Sequence, residues 1–272
     1  MCICFNGFDE IPKNLPKSEK IIAICANGKN GNPPDLGCNN KMYWLGDFPG
    51  YYATVDDDII YPPNYIQTLK NAVDRYDKKA IVSFHGHIYK PVNGKINVRD
   101  RQLLWFKLKH PTKYCHRLGM GVAMSYPSKL NLTKDIFLKH PKNTGDDELM
   151  ALWAQKNHIP MICLSTNSIS ILSNDKFALK NCLSSKNNTI DKRRKLLENF
   201  TDWKIYELNT KNSIKISSPY ENMCNIVYVF NDTYVIPTIV SISSLIKSNS
   251  RNFLNFYLIS STNLPENIVS LL

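Results

Sequence analysis

Gly50-Tyr-Tyr-Ala-Thr-Val-Asp-Asp-Asp-Ile-Ile-Tyr-Pro-Pro-Asn-Tyr65 carries an apolar segment straight into three carboxylates and then into a proline pair. Tyr51 to Val55 are β-branched or aromatic apart from Ala53, which predicts a buried strand, and Pro62-Pro63 before Tyr65-Ile-Gln-Thr-Leu-Lys predicts a turn into a helix. Side chains alternate along an extended chain, so Asp56 and Asp58 are expected on one side and Asp57 on the other. Two carboxylates facing the same way at a strand end raise each other's proton affinity unless a positive charge neutralises them. A hard divalent cation held through oxygen does this, and Mg²⁺ or Mn²⁺ keeps open positions for substrate phosphates. The competing reading is a solvated acidic turn. The flanking apolar segments weigh against it, because carboxylates wedged between them are costly unless paired or metal-bound.

Outward from this stretch, strand and helix patterns alternate. Asn64 to Tyr76 spaces Ile66, Leu69, Val73 and Tyr76 for one helical face, and Ala80-Ile-Val-Ser-Phe84 reads as a strand ending in His85-Gly86-His87. Leu118-Gly-Met-Gly-Val-Ala-Met124 is a small-residue turn entering a strand, in which Gly119 and Gly121 serve either a phosphate-binding loop or a close-packed turn. Thr144-Gly-Asp-Asp-Glu-Leu-Met-Ala-Leu-Trp-Ala-Gln155 starts a helix with three acids in its first turn, which suits the helix dipole, and Ile159 to Cys163 returns as a strand. Tyr89 to Tyr114 reads as a polar, partly irregular excursion containing Arg99, Arg101, Trp105 and Phe106. This rhythm predicts an α/β domain with a largely parallel sheet and ligands at the strand carboxyl ends, where the Asp triplet and His85 both fall. Met1 to Phe5 reads as a core strand and Ile21 to Ala26 as the next strand, with a Gly/Asn/Pro-rich loop from Asn27 to Asn40.

The 272 residues suffice for one large or two small domains. No apolar run reaches the length of a membrane span, and the N-terminus lacks a signal-peptide layout, so a cytoplasmic protein is expected. Eight cysteines without a CxxC pair argue against a zinc ribbon or a thioredoxin-type site and for reduced, mostly buried thiols. The net charge of +11 is consistent with nucleic acid, an anionic leaflet or an anionic substrate. Apart from Lys192-Arg-Arg-Lys195 the basic residues are dispersed and no nucleic-acid-binding signature occurs, so nucleic acid is not an expected partner.

Val55-Asp-Asp-Asp-Ile-Ile-Tyr-Pro-Pro-Asn-Tyr65 resembles the DxD segment of GT-A glycosyltransferases, in particular a bacterial family 2-like group acting on surface polysaccharide or lipopolysaccharide. The resemblance implies a Rossmann-like GT-A nucleotide-sugar fold with a mostly parallel central sheet over residues 1–190. It also implies Mn²⁺ or Mg²⁺ as cofactor, a nucleotide-sugar donor and a glycan or lipid-linked glycan acceptor. Carried over, Asp58 holds the metal with Asp56, and Asp56 and Asp57 contact the nucleotide, the triple Asp leaving their register open. Gly119 and Gly121 become candidate diphosphate contacts, and His85 a candidate diphosphate or metal contact against the plainer reading of a hydrogen-bonded histidine at a strand end. In inverting members an acid at the helix start is the catalytic base, which falls on Asp147 with Asp146 beside it. Peripheral attachment to the inner face of a membrane carrying the acceptor is the use of the positive charge that suits this resemblance.

Residues 191–222 read as a basic, polar linker. From Asn225 a new unit begins, with strands at Ile226 to Phe230 and Phe253 to Ile259 and a helix from Val235 to Lys247 between them. It resembles the opening of glycosyltransferase family 8 without that family's DxD, so residues 223–272 are expected to form a partial second α/β unit with no catalysis of its own. Both resemblances imply a chain clipped at its two ends relative to the families. The rival expectation is therefore a non-catalytic transferase fragment serving in binding or assembly. A metal-dependent phosphohydrolase ranks lower, since it calls for more His and Asp ligands.

Overall fold

The structure, a computed structural model, describes residues 1–167, 169–173, 187–208, 223–230 and 253–260. The chain divides into two compact units, Met1–Leu208 and Asn209–Leu272. The first is built on a five-stranded sheet of β3 (Tyr52–Val55), β5 (Ile81–Ser83), β8 (Lys113–Cys115), β10 (Val122–Ser125) and β11 (Met161–Cys163), in the order β3-β10-β5-β11-β8. Between β3 and β5 lie the short β4 (Ile59–Ile60) and helix α1 (Tyr65–Arg75).

The sheet is mixed, which corrects the largely parallel one expected from the strand–helix–strand rhythm. Strands β5 and β11 pair in parallel, but β10 is inserted antiparallel between β3 and β5, and β8 is antiparallel to β11. Strands β3, β5 and β11 do run the same way; β10, read from the sequence as the strand entered by the Gly119–Gly121 turn, and β8 reverse. An α/β class therefore holds, while a Rossmann-like GT-A topology is not established by this strand order.

Alternation along the strands divides the core into two layers. Val82, Val122, Met124 and Ile162 face one side with Tyr65, Leu69 and Val73 of α1, whereas Ile81, Ala123, Met161 and Cys163 face the other with Leu149, Met150 and Ala154. Those last three belong to α4 (Asp146–Lys156), so the sheet has a helix on each face and its central strands β5, β10 and β11 are buried throughout, with Ser83 and Ser125 their only polar side chains. Helix α1 turns Tyr65, Leu69, Ala72 and Val73 inward and leaves Ile66 exposed, a face one residue away from the expected one. Strand β3 lies at the sheet edge, so only Thr54 is buried and Val55 is exposed, correcting the reading of Tyr51 to Val55 as a buried strand.

Residues 89–114 are more ordered than expected: β6 (Gly86–Tyr89) pairs with β7 (Arg101–Leu104) and β9 (Arg117–Leu118) in a three-stranded sheet. At the start of the chain β1 (Cys2–Asn6) and β2 (Ile22–Ala26) form a separate parallel pair whose first strand is half-exposed, so Met1 to Phe5 is not a core strand. Two short helices, α2 (Pro127–Leu130) and α3 (Asp135–Leu138), lead from β10 towards α4, and β12 (Leu172–Ser173) pairs with β4. Helix α5 (Asn187–Glu198) belongs to the first unit: Leu197 and the following Trp203 are buried in its core, so residues 191–208 pack there instead of linking two domains.

In the second unit β13 (Met223–Phe230) and β14 (Phe253–Ser260) pair in parallel, in register from Met223 with Phe253 to Phe230 with Ser260. The helix expected from Val235 to Lys247 lies outside the described residues, as does Cys182. Cys2, Cys4, Cys25, Cys38, Cys115 and Cys163 are free thiols, of which Cys25, Cys115 and Cys163 are buried and Cys2 is exposed. Among the described residues no helix is long and apolar enough to cross a membrane.

Two buried histidines couple this fold to pH. The Tyr89 N–H donates to His116 Nδ1 at 3.1 Å, a bond that only an unprotonated nitrogen accepts. Burial pushes the His116 imidazole down from 6.5 to about 4 and depresses His87 further. Between those values the unfolded chain binds more protons than the folded one, so stability is full above about pH 6.5 and falls as pH is lowered towards 4. Urea unfolding is expected to show a lower midpoint at pH 5 than at pH 7. His116→Asn, which keeps an acceptor but does not titrate, is expected to reduce that difference, His87 supplying what remains.

Candidate functional site

The site forms at one edge of the central sheet because β10 runs backwards. The carboxyl ends of β3 and β5 lie there, and so does the amino end of β10, with Val122 opposite Val55 and Ala123 opposite Ser83. This brings Asp56, His85 and the turn Gly119-Met120-Gly121 to one place, and α4 delivers its acidic first turn to the same edge. The expected site residues Asp56, His85, Gly119, Gly121, Asp146 and Asp147 thus converge from four separate parts of the chain.

The Gly119–Gly121 turn is the centre of the arrangement. Its three carbonyls accept from three hydroxyls: Ser83 to Gly119 at 2.8 Å, Thr54 to Met120, and Tyr61 to Gly121 at 2.6 Å. The Gly119 N–H donates to the His85 carbonyl at 2.9 Å, and the Met120 N–H donates to Asp147 Oδ1 at 2.7 Å. Neither glycine has positive φ. Their need is close approach, since a Cβ at Gly121 would overlap the Asp56 carboxylate and one at Gly119 would press on the His85 ring. The Tyr61 hydroxyl also accepts the Asp56 N–H at 2.7 Å, and its ring packs on Tyr65. It thereby ties Asp56 to the glycine turn.

Two cations hold the carboxylates. Lys41 Nζ lies 2.5 Å from Asp56 Oδ1 and 3.1 Å from Asp146 Oδ2. Arg117 Nη2 lies 2.9 Å from Asp147 Oδ2 and 2.7 Å from Glu148 Oε1. Burial raises the proton affinity of Asp146, opposed by Lys41 and reinforced by Asp147 and Asp56, with a net upward shift. For Asp147 burial acts the same way, but Arg117, the Met120 N–H and Lys41 outweigh it and hold the carboxyl below its usual range. Glu148 is raised, chiefly by burial, and its Oε2 is buried without a hydrogen-bond partner. Asp147 is the most accessible of the three, with a quarter of its side chain (25%) exposed against 5% for Asp146 and 4% for Glu148.

The remaining expectations fall less centrally. The strand ends at Val55 and Asp57–Asp58 form a turn, so the alternation of the triplet is not that of a strand: Asp57 is exposed and Asp58 half-buried. Burial pushes His85 down to about 4, so its imidazole is neutral near pH 7 and offers no charge to a phosphate. Its Nδ1 is buried without a partner, and its ring neighbours His87 and Phe106 at centroid distances of 5.1 and 6.0 Å. Arg99 and Arg101 are exposed, the latter donating to the Val98 carbonyl at 2.7 Å.

Lys41 and Arg117 are the residues that sequence reasoning misses. The signal for Lys41 is a lone cation beside Met42, Trp44 and Leu45, all buried; for Arg117 it is a cation between Cys115 and Leu118, also buried. Lys41 is placed by the 3-10 helix Gly37–Met42, whose own Asn39 fastens it to the segment that leads into α4. Asn39 donates to the Phe137 and Pro141 carbonyls and accepts the Gly145 N–H, and the Tyr52 hydroxyl donates to the Lys41 carbonyl at 2.6 Å.

The donor chemistry suits a hard divalent cation. Among the described residues no three His, Cys, Asp or Glu side chains gather as a group that could hold a metal ion alone. Mg²⁺ and Mn²⁺ sites of the phosphate-binding kind need only one or two carboxylates, with substrate oxygens completing the shell. Asp56 and Asp58, two residues apart, are both half-buried carboxylates at the end of β3, Asp56 being engaged by Lys41.

Removing Arg117 leaves Asp147 and Glu148 without their shared cation. Arg117→Met is expected to destabilise the chain by about 3–5 kcal/mol in urea unfolding, whereas Asp57→Asn, at an exposed position, should change stability by no more than about 0.5 kcal/mol. The chain matches no protein-family model and no curated protein.

Proposed function

We propose that the first unit is a metal-dependent glycosyltransferase, moving a sugar from a nucleotide-sugar to a hydroxyl of a bacterial surface glycan such as lipopolysaccharide or capsule, with inversion. One observation carries this reading. The Asp56–Asp58 segment and the acidic start of α4, far apart in sequence, meet at one sheet edge and are joined through Lys41. A nucleotide-sugar transferase needs those two functions side by side, one carboxylate group for the donor diphosphate and one for the acceptor proton.

Asp58, helped by Asp56, would hold the cation, whose contribution is neutralisation of charge on the leaving diphosphate. Asp147 is the proposed proton acceptor. Arg117 and the Met120 N–H keep it ionised and fix its orientation while lone pairs remain free on both oxygens, and it is the accessible member of its turn. The acceptor oxygen forms a bond to the anomeric carbon and its proton passes to Asp147. The bond from that carbon to the diphosphate oxygen breaks with its electron pair going to the nucleoside diphosphate. Asp146, nearly enclosed and bound to Lys41, positions that lysine. Neutral His85 can offer a ring N–H but not a counter-charge. The +11 net charge supports attachment to an anionic leaflet that carries the acceptor.

Calorimetry with a panel of nucleotide-sugars is expected to show binding that requires Mn²⁺ and is lost in Asp58→Ala. With the bound donor, Asp147→Asn should retain donor affinity and reduce nucleoside diphosphate release by about 10²–10⁴-fold. A folded chain that binds no nucleotide-sugar in Mn²⁺ would sink the enzyme reading and favour a binding or assembly module.

A further inference from the structure

The ammonium of Lys41 occupies the space between Asp56 and Asp146, 2.5 Å from one carboxylate oxygen and 3.1 Å from the other. A divalent cation held by Asp56 and facing α4 would need that same space. The lysine is not a surface side chain that happens to reach a carboxylate: only 25% of it is exposed, and the loop that carries it is fixed on both sides. Asn40 donates to Asn6 Oδ1 and to the Pro34 carbonyl at 2.8 and 3.1 Å, Asn6 donates back to the Gly37 carbonyl at 3.0 Å, and the Asn143 N–H donates to the Leu36 carbonyl at 3.1 Å. Ordering a long side chain costs rotamer entropy, and two carboxylates brought together need a cation; this loop supplies it from within the chain.

We infer that Lys41 is the resident counter-ion of Asp56 and a built-in competitor of the divalent cation, which binds Asp56 only as the ammonium withdraws. Withdrawal does not strand the charge, because Asp146 remains as its partner. The two carboxylates thus give the lysine two positions, one shared between them and one on Asp146 alone. In the shared position Asp56 is neutralised without metal; in the other it is free to help Asp58. The inference rests on the glycosyltransferase reading only for the choice of Mn²⁺ as the competing ion.

The test is a calorimetric Mn²⁺ titration of the full 272-residue chain, in the absence of any nucleotide-sugar, comparing the natural sequence with Lys41→Met and Lys41→Arg. Lys41→Met is expected to bind Mn²⁺ at least tenfold more tightly than the natural chain and to gain more melting temperature from it. Lys41→Arg, which keeps the cation, should resemble the natural chain. The gain should vanish in Lys41→Met combined with Asp56→Asn. If Lys41→Met folds only when Mn²⁺ is supplied, the ion has taken the ammonium's place and the inference stands. Equal or weaker Mn²⁺ affinity in a folded Lys41→Met overturns it, and so does a Lys41→Met chain that stays unfolded with and without Mn²⁺. Failure of the natural chain to bind any nucleotide-sugar is a separate result: it removes the transferase reading while tight Mn²⁺ binding by Lys41→Met would still uphold the competition.

Discussion

Charge compensation at one edge of the central sheet is the constraint around which the first unit is arranged. Asp56, Asp146, Asp147 and Glu148 meet there, and two cations from elsewhere in the chain, Lys41 and Arg117, are shared among them. Carboxylates this enclosed remain ionised only where cations and N–H donors stand in for water. Arg117 suits its pair because a guanidinium presents several donors in a fixed plane, and it reaches two carboxylates with one nitrogen. Lys41 suits the other because an ammonium is a compact charge on a movable stem, able to serve two acceptors in turn. Exchanging the two cation types would make the first pair less directional and the second less mobile.

The same edge depends on the reversed strand. Were β10 parallel to β3 and β5, its amino end would lie at the opposite edge and the Gly119–Gly121 turn would be far from Asp56. Because it is antiparallel, the turn sits among the strand carboxyl ends, where α/β proteins form their ligand sites. Three hydroxyls, from Thr54, Ser83 and Tyr61, then satisfy its carbonyls. A turn so fully bonded has little freedom, and absence of a Cβ at Gly121 lets Asp56 lie directly against it. Asp56 is thus fixed at its backbone by Tyr61 and at its carboxylate by the turn on one side and Lys41 on the other.

Much of this was legible in the sequence, and the rest fails for identifiable reasons. Strands at Ile81–Ser83 and Met161–Cys163 and helices at Tyr65–Arg75 and Asp146–Lys156 follow from apolar periodicity and an acidic helix start. Periodicity carries no direction, so the reversal of β10 and β8 could not be read, nor could the edge position of β3 that exposes Val55. The acids were visible as acids because they cluster along the chain. Their cations were not, since Lys41 and Arg117 are single residues whose meaning is the space they share with partners distant in sequence. The role of Tyr61 was hidden likewise, because an aromatic ring beside a proline pair suggests packing or stacking, while its hydroxyl bonds the Asp56 N–H and the Gly121 carbonyl.

The energetics of the cluster bear on whether the first unit is only a scaffold. Replacing buried ion pairs by apolar residues of similar volume is often neutral or stabilising, by about 1–4 kcal/mol. A domain that had merely to hold its shape would be served as well by leucines and methionines where Asp146, Glu148 and Arg117 stand. The cluster instead leaves Glu148 Oε2 without a partner, raises the proton affinity of Asp146 and keeps Asp147 ionised and partly open to solvent. Three adjacent acids on one helical turn are thus given three different environments, one tied to a lysine, one oriented by an arginine and a backbone N–H, one enclosed behind them. Differentiation of neighbouring carboxylates by their surroundings is how a protein assigns separate acid–base and electrostatic tasks to chemically similar groups. Packing alone requires no such distinction, and the distinction accords with the separate roles proposed above for Asp146 and Asp147.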